Sequence, residues 1–176
     1  MRFQGSTPMS LESDIAQLIL QEERLRFVHF DEADGWTLGS RMRAAAAERK
    51  IPFVIDIQVA GRPLFYTALP GTTPDNPEWV RRKVNVVMRY HRSSYRFARE
   101  LQQRGLTLGP DRGVDAMDHA AAGGGFPIHI SGTGVVGSVT VSGVPQRDDH
   151  NFVAEMLCLH LGIAYAELAL GPETAA

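Results

Sequence analysis

The chain has 176 residues and a mass of 19.3 kDa, room for one domain, and its 44% hydrophobic and 22% charged residues are those of an ordinary globular protein rather than a disordered one. Its 18 basic and 20 acidic residues leave a formal net charge of −2, which excludes a globally basic nucleic-acid binder. One cysteine, Cys158, excludes a disulfide framework and a cysteine-built zinc cluster.

Surface scaling lets a chain of this size bury about 70% of its unfolded area, so a core needs no staple. No apolar run approaches the ~18 residues of a membrane span. The first ten residues lack the apolar centre of a secretory signal. The expectation is a cytoplasmic protein with no membrane partner. A second methionine at position 9 marks residues 1–9 as a flexible leader, 10–165 as a single domain and 166–176 as a tail.

From the N-terminus, Ser10 or Ser13 caps a first helix, with Ile15, Leu18, Ile19 and Leu25 at helical spacing. Residues 27–30 read as a short strand and 31–35 as a turn. Residues 37–50 carry a four-alanine run that favours helix, ended by Pro52. Residues 53–60 and 64–69 form a hairpin about Gly61, Arg62 and Pro63. Asp75 or Asn76 caps a long helix from about Pro77 to Gln103, stopped by Gly105. Residues 106–118 are irregular. Strands over 126–131 and 135–142 form a second hairpin, and Asp148 or Asp149 caps a last helix to about Leu161. The order predicts an α+β domain: a five-stranded, mostly antiparallel sheet with helices on both faces, in three α/β/α layers.

Several residues are candidates for chemistry. Gly123, Gly124 and Gly125, followed by Phe126 and Pro127, permit either a backbone nest for an anion or a tight turn against a neighbouring segment. Asp149 and His150 open the last helix. They read as helix-dipole partners, or as the acid–base edge of a ligand cleft. None of the six histidines forms a dense metal signature, but Met117 with His119 offers a pair of soft axial ligands for haem iron. Cys158 lies among Met156, Leu157, Leu159 and Leu161 and reads as a buried, inert thiol. On the long helix, Arg82, Arg89, Arg92, Arg96 and Arg99 share a face, while His91 and Ser94 interrupt the opposite apolar stripe. No aromatics interleave the arginines, so nucleic acid is not an expected partner.

The blocks G-G-G-F-P-I (123–128), G-V-V-G-S-V-T-V-S-G (134–143) and V-P-Q-R-D-D-H (144–150) occur in this order, with W-V-R-R-K (79–83) and the Ser93-Ser94 pair upstream. Together they resemble the GlcG-like family, also called the haem-degrading-domain or HbpS-type family, in the branch that includes a yeast protein. The resemblance covers about residues 10–165. It implies a profilin-like fold and a homo-oligomer. Haem is the cofactor it suggests, though members differ in what they bind. Ala122 stands where this branch often has a histidine, and His119 stands three residues earlier.

The expected function is therefore a homo-oligomeric protein that binds a small anionic or tetrapyrrole, haem-like ligand near the glycine turn and the start of the last helix. The alternatives are an enzyme acting on a small carboxylate metabolite through Asp149 and His150, and a ligand-free scaffold or adaptor.

Overall fold

Two glycine turns fold the apolar stretches back on themselves. Ala60 and Gly61 both take positive φ, 52° and 74°, the mirror-image turn geometry whose twist matches that of the strands it joins. Gly132, at φ 78°, opens the second turn. The computed structural model describes residues 9–173, so all of the expected leader but Met9 lies outside the described residues.

The hairpins are β1 (Val54–Val59) with β2 (Arg62–Ala68), and β3 (Gly125–Ile130) with β4 (Gly134–Ser142). β1 and β4 pair antiparallel at the centre, giving one sheet of order β2-β1-β4-β3. The sheet has four strands, not the expected five. Of residues 27–30 only Phe27 contributes, through a single parallel bridge to Ile130, because Asp31 already caps the next helix.

Among the described residues six α-helices accompany the sheet: α1 (Leu11–Arg24), α2 (Glu32–Glu48), α3 (Asp75–Tyr90), α4 (Ser94–Gln103), α5 (Gln146–Leu161) and α6 (Tyr165–Leu168). α2 starts five residues before its expected position. Asp31 and Asp34 form a reciprocal capping box there, so the expected turn is the helix's first turn.

Strand alternation sends Phe53, Ile55, Ile57, Phe126, Ile128, Val139 and Val141 into one core with Leu38 and Met42 of α2 and Phe152, Val153 and Leu157 of α5. The other face carries Val54, packed on Val80 and Val84 of α3, beside buried Asp56, Ser138, Thr140 and Ser142. Helices thus cover both faces. The segment expected as a tail is folded onto the domain. Leu168 and Leu170 are buried, Arg147 donates to the Gly171 carbonyl at 2.6 Å, and Arg99 pairs with Glu173. No helix among the described residues is long and apolar enough to cross a membrane.

Candidate functional site

The expected long helix is two. His91 adopts a left-handed φ of 52° and ends α3. Ser93 then caps α4, its Oγ accepting from the Arg96 amide at 3.1 Å. The Ser93 amide donates to Glu22 at 2.7 Å. α4 folds back beside α3, with Tyr90 stacked on Phe97 at 4.0 Å between ring centroids. Both polar interruptions of the stripe are thereby explained within one chain. His91 is exposed, and Ser94 Oγ accepts from the Gly125 amide at 2.9 Å.

This fold-back also dissolves the expected arginine face. Arg92 pairs with Glu100, Arg96 with Glu22 and Glu100, and Arg99 with Asp14 and Glu173. Arg82 donates to the Ala116 carbonyl and lies 4.7 Å over the Trp79 ring.

Between α3, α4, the loop of 116–122 and the junction of β4 with α5 lies a cleft of about 870 Å³. Leu101, Leu106, Leu108 and Ala120–Ala122 make much of its wall apolar, and Trp79, Arg82, His119 and Gln146 line it as well. Lys83 and Asp149 form the buried part of the lining, with both side chains only 3% exposed and 2.7 Å apart. Lys83 Nζ also donates to the Val141 carbonyl at 3.0 Å, and Asp149 Oδ1 accepts from the Val144 amide at 3.0 Å. Burial pushes the Lys83 amine below its usual value and the Asp149 carboxyl above its own, and each partner's charge opposes the other's shift.

The glycine turn makes this arrangement possible. Gly124 has a φ of +124°, and a Cβ there would lie 2.5 Å from the Val141 carbonyl oxygen and 2.8 Å from Lys83 Nζ. A Cβ at Gly123 would lie 2.0 Å from the Gln146 carbonyl oxygen. The Gly125 amide is taken by Ser94 and that of Gly123 by Gln146 Oε1 at 3.4 Å. The glycines therefore serve close packing, and neither of these two amides is left for an anion.

The other candidates scatter. His119 lines the cleft, with Nδ1 3.0 Å from the Asp115 carbonyl oxygen. Met117 does not line it and is 75% exposed, which separates it from His119 as a second axial ligand. Phe126 and Pro127 are buried, Phe126 in the α2/α5 core.

Asp149 does not cap α5, which starts three residues earlier after Pro145. His150 points the other way along the helix surface. It is fully buried, with Nε2 2.8 Å from Gln21 Oε1, and burial pushes its pKa down to about 3. Asp149 and His150 are thus not an acid–base pair at one site. Cys158 is buried too, its thiol pushed up to about 11 by desolvation.

From sequence, Lys83 enters only as one letter of W-V-R-R-K. Its signal was a lysine on the apolar face that Val80, Val84 and Val87 define, where an exposed amine has no place.

Fold and cleft define a class: a small α+β protein with a four-stranded antiparallel sheet, covered on both faces, and a ligand-sized cleft at one end of it. The chain belongs to the HbpS-like family, described as haem degrading protein HbpS-like, which matches residues 30–157. It is 50% identical over 162 residues to a UPF0303 protein of Burkholderia cenocepacia, covering 92% of this chain and 98% of that one. It is 51% identical over 154 residues to a UPF0303 protein of Rhizobium rhizogenes, covering 88% and 94%. Among solved structures, the Ybr137w protein is similar with a TM-score of 0.76 and 26% identity, over 84% of this chain and 87% of that one. HbpS matches with a TM-score of 0.56 at 20% identity, over 92% and 95%. The complex of PduOC with haem matches with 0.59 at 16%, over 74% and 94%. At those identities the last two likenesses carry the fold alone.

Proposed function

We propose that the cleft binds a flat, partly apolar, anionic ligand of the tetrapyrrole class, haem being the type, in a cytoplasmic homo-oligomer. One observation carries the reading: His119 stands at the cleft with Nδ1 engaged by the Asp115 carbonyl. That hydrogen bond fixes the ring and the tautomer, leaving Nε2 as the nitrogen for a metal, the usual arrangement of a haem-ligating imidazole. The fit extends to the walls. A volume of about 870 Å³ suits a cofactor-sized ligand, Trp79 and the leucines offer apolar contact, and Arg82 offers charge to a carboxylate. The family's description supports the same ligand class.

Titration with haem tests it. A shifted Soret band with saturable quenching of tryptophan fluorescence is expected. His119→Ala should weaken binding at least about tenfold, or about 1.4 kcal/mol, with the fold intact. An unshifted Soret band sinks the proposal. The homo-oligomer is tested by light scattering at micromolar concentration, where a monomer mass overturns it. The enzyme reading survives in altered form, because Asp149 lies at the cleft with Lys83 rather than with His150.

A further inference from the structure

The 18 basic side chains of this chain include only two lysines, Lys50 and Lys83; all the others are arginines. Arginine makes the other well-buried ion pairs, Arg99 and Arg147 with Asp14 and Arg96 with Glu22. That choice follows the chemistry. A guanidinium is weakly hydrated, binds carboxylates with a planar fork and does not lose its proton in proteins. Lys50 is exposed at the end of α2. The one buried cation that is not an arginine is the one in the cleft.

A lysine differs from arginine in a single chemical respect that matters here: its nitrogen becomes a nucleophile when the proton leaves. The surroundings of Lys83 suit that change. Asp149 Oδ2 is 2.7 Å away to take the proton, and the Val141 carbonyl holds a second N–H direction. Among the described residues no third acceptor stands at Lys83 Nζ. Gly124, by lacking a Cβ, leaves the nitrogen the space it occupies. Buried ion pairs contribute little to stability against an apolar replacement, so stability alone does not account for this one. Burial moves both groups towards their neutral forms.

We propose that Lys83 is a reactive amine that takes an aldehyde or ketone group of a cleft-bound small molecule as an imine, with Asp149 as its proton partner. This inference rests on the cleft being a ligand site, but not on that ligand being haem. Lys83 transfers a proton to Asp149, and the free Nζ adds to the carbonyl carbon as the C=O π electrons move to oxygen. Asp149 returns the proton to that oxygen, then carries one of the two protons on the new ammonium nitrogen to the hydroxyl, water departs with the C–O bond, and a C=N bond remains. The products are imine and water, no oxidant or reductant is consumed, and hydrolysis reverses the reaction.

The test is reductive alkylation of the intact protein with formaldehyde and cyanoborohydride at neutral pH, with the rates at each amine read by peptide mass mapping. Lys50 is the internal control. A fall in an amine's pKa raises its free-base fraction, so Lys83 should be modified faster than Lys50. Modification of Lys83 more slowly than Lys50 overturns the proposal, since a purely structural ion pair is protected. Lys83→Arg keeps the charge and the pairing, and should retain the fold while losing the fast label. If the fast label persists in that variant, it belongs to another amine and the proposal fails. Haem plays no part in this readout. Fast labelling without a Soret shift defeats only the haem reading, and a Soret shift with a protected Lys83 defeats only this one.

Discussion

The two faces of the sheet are buried to the same degree and built of opposite chemistry. Towards α2 and α5, Ile55, Ile57, Ile128, Val139 and Val141 are all fully buried and apolar. Towards α3, the same strands present Asp56, Ser138, Thr140 and Ser142, equally hidden. Among the described residues the hydroxyls of Ser138 and Thr140 find no partner, and burial raises the Asp56 pKa above the usual carboxylate value, with Gln58 as its hydrogen-bond donor. Unpaired polar groups in the interior cost stability rather than supply it. The first face therefore holds the fold together. The second runs along β4 to Ser142, which lines the cleft.

Substitutions can break this contrast, starting with the largest effect. Leu157→Ala empties a fully buried position of the apolar face and should lower unfolding free energy by about 3 kcal/mol, read from urea denaturation.

Next comes pH. His150 has a folded pKa of about 3 against about 6.5 unfolded. Below about pH 6.5 the unfolded chain binds a proton that the folded chain refuses. Stability is therefore complete above that pH and declines as pH falls towards 3, by about 1.4 kcal/mol per pH unit. Unfolding free energies from urea denaturation at pH 7 and pH 5 should differ by about 2 kcal/mol on this account, and His150→Gln should flatten the slope. An unchanged slope in that variant would assign the acid sensitivity elsewhere.

The finest comparison uses neighbours on opposite faces. Val139→Thr buries a new hydroxyl in an apolar core and should cost about 2 kcal/mol. Thr140→Val removes one that has no partner and should leave stability unchanged or raise it by about 1 kcal/mol. Equal costs for the two would show that the faces are energetically alike.

The hairpins were legible because glycine turns separate alternating or β-branched runs, and both form, though the first turns at Ala60 and Gly61, with Arg62 and Pro63 in β2 rather than in the turn. The break between α3 and α4 was not, because no proline or glycine marks residues 91–93. The only local sign was a serine pair able to cap, and what fixes the break is Glu22 reaching the Ser93 amide from α1. Asp149 looked like a cap because carboxylates favour first turns. Its real partner lies 66 residues away in sequence, a separation that local pattern does not reach. His119 was named from a family likeness, and only the fold places it at a cleft. Met117 was legible as a soft ligand by type, but its exposure is a property of the loop alone.

The described chain closes on itself. Met9 and Glu173 form a parallel bridge, the Met9 amide donates to the Pro172 carbonyl at 2.9 Å, and Leu170 packs with Leu18 and Tyr95. In spatial terms the described domain is nearly a ring. Joining these ends with a short linker and opening the chain at Gly61, where a turn stands free of neighbouring atoms, gives a rearranged order of the same elements. The cleft's lining runs from Asp75 to Asp149 in one uninterrupted stretch. A circular permutant cut at Gly61 carries that stretch whole.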